Sequence, residues 1–233
     1  MNHPLFDFQI QSSIYLFFLF MVLNLSREMD ILTSHIDLSD NYFWYAIAAI
    51  AGTPTWWNIV ARLEYKTRFL TKLAGGKYAA CYVLAFLIFT CSLLRDYLFS
   101  QSIKNQPTYL GFDNNVVLYS AYLLYVIGGV LVGSTYWRLG ITGTYLGDYC
   151  GILMKERITG FPFNTMANPM YNGASILFLA HALVEKSVAG VVLTAVVYIV
   201  YRIAILFEEP FTGQIYAQRD AKQGLKKKMN KIN

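Results

Sequence analysis

Charged residues are scarce in this sequence. Asp, Glu, Lys and Arg make up 14% of its 233 residues, whereas a soluble globular domain carries roughly 25%. This deficit excludes an ordinary water-soluble domain. Disorder is excluded as well, because 56% of the residues are apolar and 16% are aromatic, so the chain has ample apolar surface to bury. A membrane protein of one domain is therefore expected.

Cysteines and catalytic signatures are also few. The three cysteines, Cys81, Cys91 and Cys150, contain no C-x-x-C pair, so neither a disulfide framework nor a zinc site is predicted. The sequence has no Ser-His-Asp, Walker or metal-ligand spacing. His181 lies alone in an apolar run, and we interpret it as a packing residue. A metal ion is therefore not expected as a cofactor.

Runs without charge predict the membrane-spanning helices. An ionised side chain at the bilayer centre costs at least ~2.5 kcal/mol, and a helix needs ~20 residues to cross. Residues 78–94 and 114–137 are predicted to cross, and residues 41–61, which contain Pro54, either cross with a kink or re-enter. The first apolar core, 14–25, has only twelve residues, which predicts an interfacial or partly inserted N-terminal helix.

The last apolar region, 173–207, is interrupted by Glu185 and Lys186. Loop 62–77 carries five basic residues against one acidic residue, which places it in the cytosol by the positive-inside rule. A cytosolic C-terminus then requires a helical hairpin with its bend at Glu185 and Lys186. A single span with segment 138–172 in the lumen fits the lengths nearly as well. Either way, the sequence predicts an all-α, multi-span helical integral membrane protein.

The net charge of +5 is concentrated at the C-terminus. Residues 219–233 contain six basic residues and one acidic residue, so the rest of the chain is balanced. We interpret the tail as a cytosolic anchor on an anionic membrane surface, worth ~1 kcal/mol per basic residue, and not as a nucleic-acid site. The predicted divisions are an N-terminal extension (1–33), a membrane domain (34–218) and a basic tail (219–233).

A glycine-rich segment follows the second predicted crossing. Its glycines recur at spacings of three, four and four residues, at Gly140, Gly143, Gly147 and Gly151. On a helix they would form one stripe without side chains, against which either another helix packs or a cofactor or lipid headgroup lies. Gly129-x-x-x-Gly133, within the crossing itself, has the same helix-packing pattern.

Two adjacent carboxylates, Glu208 and Glu209, directly follow the apolar run 188–206. Such a pair is commonly an interfacial stop. Arg202 shares a helix face with Glu209 two turns away, and an arginine at membrane depth is normally paired or functional. The alternative is therefore a site for a zwitterion, in which the guanidinium binds a carboxylate and the carboxylate binds an amine or ribose hydroxyls.

Four ordered blocks resemble the phosphatidylethanolamine N-methyltransferase family. They are LGITGTYLGDY (139–149), ERITGFPFN (156–164), NPMY (168–171) and EEPFT (208–212). Segments 57–65 and 72–76 are also similar to the fungal members that methylate the monomethyl lipid onward to phosphatidylcholine. The resemblance covers roughly 34–220. It implies S-adenosylmethionine as the methyl donor, a phospholipid acceptor and the endoplasmic reticulum membrane.

The resemblance also implies a donor site. The family binds the donor through a G-x-G motif and a double glutamate. Here Gly128 matches the second glycine, Ile127 is the middle residue and Val126 replaces the first glycine, while Glu208 and Glu209 match without change. Block 168–171, with Pro169 and Tyr171, is similar to a turn that related membrane methyltransferases use to hold the donor.

Methyl transfer from a sulfonium to an amine is an in-line displacement that needs no protein nucleophile. The protein must align the two substrates and accept the proton of the acceptor amine. The candidate bases are Asp148, Glu156 and Glu208. Lys155 or Arg157 is predicted to bind the lipid phosphate, and Arg202 with Glu209 the donor.

Two other functions stay open at this stage. One is an enzyme similar to isoprenylcysteine carboxyl methyltransferase. The other is a helical transporter or scaffold without enzymatic activity, in which the glycines only pack helices.

Overall fold

A computed structural model describes residues 34–156 and 158–229. Within these ranges the chain is helical and contains no β-strand, which confirms the predicted all-α fold. The predicted N-terminal helix at 14–25 and the candidate residue Arg157 lie outside the described residues. The helices are α1 (Asn41–Thr67), α2 (Phe69–Leu73), α3 (Lys77–Asn105), α4 (Asn115–Thr144), α5 (Pro169–Val184) and α6 (Val188–Met229), with a 3-10 turn at Leu110–Phe112.

Helix α1 begins at a capped end and continues through a proline. The carboxylate of Asp40 accepts hydrogen bonds from the backbone N–H groups of Tyr42 and Phe43 at 3.1 and 3.2 Å, which satisfies two of the free donors of the first turn. Pro54 lies inside the helix, where it removes one backbone hydrogen bond. The helix ends at Thr67, and the next residue, Arg68, has a left-handed backbone with φ 57°.

Three of the described helices, α3, α4 and α6, are long and apolar enough to cross a membrane, and α5 is a shorter apolar helix. In the most apolar stretch of α4 only 17% of the residues are buried inside the protein. A soluble protein rarely exposes such a continuous apolar surface. This surface therefore suits contact with lipid, and the two crossings predicted from the charge-free runs form helices of sufficient length.

Helices α5 and α6 form the predicted hairpin, with the bend between Val184 and Val188. The two helices approach closely beyond the bend, because a Cβ atom added to Gly190 would lie 2.8 Å from the Cβ atom of Ala182. Lys186 in the bend forms an ion pair with Asp113 at 2.7 Å. The hairpin prediction is confirmed.

The helix directions bring distant segments together at one end of the bundle. The end of α1, the segment after α4 and the start of α5 all contact α6 near Glu208. Val188 and Glu208 are twenty residues apart on one helix, which is ~30 Å at 1.5 Å per residue. Glu208 thus lies about one hydrocarbon thickness from the hairpin bend.

The predicted continuous glycine stripe is wrong. Helix α4 is interrupted at Gly140, where φ is 61° and ψ is −175°, and it ends at Thr144. Leu146 and Gly151 also have left-handed backbones, with φ of 56° and 84°. Because these conformations break a helix, segment 145–151 forms tight turns that bring Asp148 to α6.

Close helix packing occurs one residue away from the predicted motif. Gly129 and Gly133 have nothing within 4 Å of an added Cβ atom. Gly128 instead faces α5, where an added Cβ atom would lie 2.9 Å from the carbonyl oxygen of Gly173. The Gly128 and Gly173 backbones therefore form the close contact between α4 and α5.

Candidate functional site

Three hydrogen-bond donors from two helices converge on the carboxylate of Glu208. Oε1 accepts from the indole N–H of Trp57 at 2.7 Å and from the amide of Asn58 at 2.8 Å. Oε2 accepts from the hydroxyl of Tyr171 at 2.6 Å. All three of these contacts are donors, which matches the acceptor chemistry of a carboxylate. Glu208 of α6 thereby links α1 and α5 at one point.

The start of α5 positions the tyrosine of this cluster. Asn168 has a left-handed backbone with φ 54°, and Pro169 occupies the first turn of the helix, where its fixed φ is favourable. The ring of Tyr171 lies 4.9 Å from that of Tyr201. The hydroxyl of Tyr201 in turn accepts from the guanidinium of the buried Arg95 at 2.6 Å. Tyr171 is therefore held by contacts on both its ring and its hydroxyl.

The second glutamate, Glu209, is exposed and has a different partner. Its Oε1 accepts from the side-chain amide of Asn168 at 2.7 Å. Arg202 is half-buried on the same helix, two turns before Glu209. The two glutamates thus contact opposite sides of the first turn of α5, one at Asn168 and one at Tyr171.

Asp148 lies beside the cluster, in the turns after α4. Its Oδ2 accepts from the hydroxyl of Thr212 at 3.0 Å. Burial raises the pKa of Asp148, and the negative charge of Glu208 raises it further, because both disfavour a second carboxylate charge. The Asp148 carboxylate is therefore a stronger proton acceptor than a free aspartate.

Tyr149 follows Asp148 and is fully buried. Its ring stacks on that of Phe211 at 5.1 Å, and burial raises the pKa of its hydroxyl to about 12. That hydroxyl and Oδ1 of Asn58 have no hydrogen-bond partner within the described part of the chain. Buried polar atoms are rarely left unpaired, so both are candidate ligand contacts.

The other predicted site residues lie at differing distances from the cluster. Gly128 contacts α5 at Gly173, two residues beyond Tyr171, and Ile127 is exposed on the outer side of α4. Lys155 and Glu156 are exposed in the loop after Met154. The backbone of Met154 bonds to Tyr216 and Arg219 of α6. These loop residues therefore lie about two turns beyond Glu208, and no hydrogen bond within ranges 34–156 and 158–229 joins them to it.

Trp57, Asn58 and Arg62 are site residues for which the sequence predicts no site role. They lie in segment 57–65, which is similar to the fungal family members, and this resemblance is one available signal. Another is an asparagine one turn after a proline inside an apolar segment. Asn58 also donates to the carbonyl oxygen of Pro54 at 3.1 Å, so the proline and the asparagine form one local unit.

A groove of about 400 Å³ opens between α1 and α6 beside the cluster, and we call it the α1–α6 groove. Its α1 wall includes Asn58 and Arg62, and its α6 wall ends at Phe207, directly before Glu208. Most of its other lining side chains are apolar. The groove thus joins the outer surface of the helix bundle to the carboxylate cluster.

Comparisons with known proteins agree on one family. The profile described as "Phospholipid methyltransferase" matches residues 116–219. The chain is 56% identical to "Phosphatidylethanolamine N-methyltransferase A" of Dictyostelium discoideum over 200 residues, covering 86% of this chain and 94% of that protein. It is 48% identical to "Phosphatidyl-N-methylethanolamine N-methyltransferase" of Saccharomyces cerevisiae over 185 residues, which is 79% and 90% of the two chains. No solved structure matches the chain significantly.

Proposed function

The chain belongs to the phospholipid methyltransferase family, and we propose that it methylates the amine of phosphatidylethanolamine derivatives with S-adenosylmethionine as donor. The monomethyl lipid would become the dimethyl lipid and then phosphatidylcholine. The observation that carries the proposal is the convergence of α1, α5 and α6 on Glu208, about one hydrocarbon thickness from the hairpin bend. Such a site meets a lipid headgroup at the membrane surface.

The residues present fit this donor. S-adenosylmethionine supplies an electrophilic methyl group on a sulfonium, and it carries an amine, a carboxylate and ribose hydroxyls. Glu208 and Glu209 offer carboxylates to its amine or hydroxyls. The buried hydroxyl of Tyr149, unpaired among the described residues, is a polar atom that the donor would satisfy.

The family resemblance implies further donor contacts, which we propose here. Pro169 and Tyr171 lie in the first turn of α5, beside both glutamates. Arg202, two turns before Glu209 on α6, is proposed to bind the donor carboxylate, and Glu209 is proposed to bind the donor amine or ribose hydroxyls. Ile127 and Gly128 remain predicted contacts on the adjoining face of α4.

Asp148 is the base that we propose for the reaction. The acceptor amine is an ammonium at neutral pH and must lose a proton before its lone pair can form the new N–C bond. Burial raises the pKa of Asp148, which makes its carboxylate a stronger proton acceptor. The negative charge of Glu208, fixed by three hydrogen bonds, then stabilises the cationic groups that meet here. Glu156, exposed in the loop, remains a predicted alternative.

We propose an endoplasmic reticulum location with the C-terminus in the cytosol. Support comes from the basic loop 62–77, which lies at the Glu208 end of the bundle, as does the continuation of α6 toward the tail. The site would then face the same compartment as the donor. We retain the division into an extension (1–33), a methyltransferase domain (34–218) and a tail (219–233) on the anionic leaflet.

The test is methyl transfer in membranes that lack other phospholipid methyltransferases. Membranes containing the protein should convert monomethyl- and dimethyl-phosphatidylethanolamine to phosphatidylcholine with methyl-labelled S-adenosylmethionine. Farnesyl-cysteine, supplied as an alternative acceptor, should remain unlabelled. Folded protein that labels farnesyl-cysteine and no lipid would refute the proposal.

A further inference from the structure

The α1–α6 groove has the length of one membrane leaflet. Its α1 wall extends from Ala51 to Arg62, and eleven residues of helix rise ~16 Å. Half of a hydrocarbon core is ~15 Å. Arg62 lies near the C-terminal end of α1, at the Glu208 end of the bundle. With the membrane surface at Glu208, Ala51 would lie toward the middle of the bilayer.

The groove is open at the protein surface along this length. Ile59, Ile203 and Phe207 line it and are 61%, 49% and 56% exposed. Its apolar lining suits an acyl chain. Because the groove opens sideways, a lipid can enter it directly from the bilayer and need not pass through water.

Arg62 stands at the headgroup end of the groove with most of its donors available. One N–H of its guanidinium donates to the carbonyl oxygen of Phe207 at 2.7 Å, and its central carbon lies 4.7 Å from the centre of the Phe211 ring. Across residues 34–156 and 158–229, no carboxylate lies within ion-pair distance of Arg62. A planar guanidinium has five N–H donors and matches phosphate geometry.

Asn58 lies one turn from Arg62, on the same wall of the groove. Its amide donates to Glu208 at 2.8 Å, while its Oδ1 is buried without a partner among the described residues. An amine that still carries hydrogen would satisfy this oxygen. One helical turn, ~5.4 Å, is a distance that the short link between the phosphate and the amine of ethanolamine can span.

We infer that the α1–α6 groove binds the phospholipid acceptor, with Arg62 on its phosphate, Asn58 Oδ1 at its amine beside Glu208, and one acyl chain along the apolar walls. The inference rests on the proposed function and extends it, because it assigns the substrate site to α1 and α6. It differs from the sequence-based expectation that Lys155 or Arg157 binds the phosphate.

A photo-crosslinking experiment locates the lipid without requiring turnover. The full chain is placed in vesicles that contain phosphatidylethanolamine with a diazirine on one acyl chain, irradiated and digested. We expect crosslinks at residues 51–62 and 200–207, which excess dimethyl-phosphatidylethanolamine competes away. Crosslinks confined to the outer surfaces of α3 and α4 would overturn the inference.

Kinetics in mixed micelles test the role of the guanidinium. Arg62→Gln should raise the KM for dimethyl-phosphatidylethanolamine by about ten- to a hundredfold, the range for loss of a charged hydrogen-bond partner, and leave the KM for S-adenosylmethionine unchanged. Arg62→Lys should restore part of the lost lipid affinity, because lysine keeps the positive charge but lacks the paired N–H donors of the guanidinium. Lys66→Gln, one turn along and exposed, is the matched control. Unchanged lipid KM in Arg62→Gln, or a lipid KM raised only by Lys155→Gln, would overturn the inference.

Filling the groove tests the acyl-chain path. Ala51→Phe adds a ring to the lining, whereas Ala48→Phe adds the same ring to an exposed position on α1 outside it. We expect about a tenfold loss of lipid kcat/KM in the first variant only. Equal values in the two variants would contradict the proposed path.

The two proposals can fail separately. Crosslinking in the groove without methylation of any ethanolamine phospholipid would refute the proposed function and support the groove as a phospholipid site. Methylation with crosslinks elsewhere would overturn the groove assignment and leave the proposed function standing.

Discussion

Replacing Glu208 by glutamine is the sharpest test of the carboxylate cluster. The substitution keeps the size of the side chain and one acceptor oxygen but removes the negative charge. The oxygen can still accept from Trp57 and Asn58, as Oε1 does now, while the new NH₂ group faces the hydroxyl of Tyr171. That hydroxyl can rotate to accept. The fold is therefore expected to survive.

The size of the effect follows from the three hydrogen bonds. Bonds to a charged group contribute about 1.5–3 kcal/mol each, and neutral ones about 0.5–1.5 kcal/mol. Loss of the charge therefore removes about 1–1.5 kcal/mol per bond, or about 3–4.5 kcal/mol of stability for the three bonds. A cationic ligand group that loses its carboxylate partner forfeits about 3 kcal/mol, which is about a hundredfold in affinity. We expect Glu208→Gln to lower methyl transfer about a hundredfold, with a melting temperature lowered by about 6–18 °C.

The assay compares wild type and Glu208→Gln in proteoliposomes, with methyl-labelled donor and dimethyl-phosphatidylethanolamine. Tryptophan fluorescence during heating reports the folded fraction. Glu185→Gln, which lies at the hairpin bend, is the matched control and should keep full activity. A folded Glu208→Gln protein with more than one third of the wild-type rate would refute the central role of this carboxylate.

Three further predictions concern packing and protonation. Gly128→Ala should lower the free energy of unfolding by about 1–3 kcal/mol, because the added methyl group lies 2.8 Å from a leucine side chain of α5; Gly129→Ala, with nothing within 4 Å, should not, and equal melting temperatures would contradict this. Glu64→Ala leaves two backbone N–H groups without their acceptor and should cost about 3 kcal/mol, with Glu64→Gln costing less in the same melting experiment. The raised pKa of Asp148 means that its stabilising contribution is present at low pH and is lost as pH rises through the ordinary value of about 3.9 toward the raised value. Asp148→Asn should remove this decline, and a difference in melting temperature from wild type that does not vary with pH would refute it.

The sequence predicts the helices well because their cause is local. A charge at membrane depth is costly, so the charge-free runs 78–94 and 114–137 mark α3 and α4. The same rule predicts the bend at Glu185 and Lys186, because those charges must lie outside the apolar layer. These features need no knowledge of which helices are neighbours.

The site is less predictable because its contacts are distant in sequence. Asn58 and Glu208 are 150 residues apart, and no periodicity in either helix indicates that they meet. The sequence does not predict the helix break at Gly140 either, for a different reason. Glycines at helical spacing are equally compatible with a stripe on a helix and with left-handed turns, and only the packing of segment 145–151 against α6 decides between them.

The uninterrupted course of α6 has a consequence for how this chain can vary in length. One inserted residue between the bend and Glu208 turns everything beyond it by ~100° and shifts it by ~1.5 Å, which would carry the carboxylate away from Trp57, Asn58 and Tyr171 together. A surface loop accommodates such an insertion at little cost in free energy, but a continuous helix that is packed at both ends does not. We therefore expect insertions and deletions to be tolerated in the loop after Met154 and to abolish activity within residues 188–208.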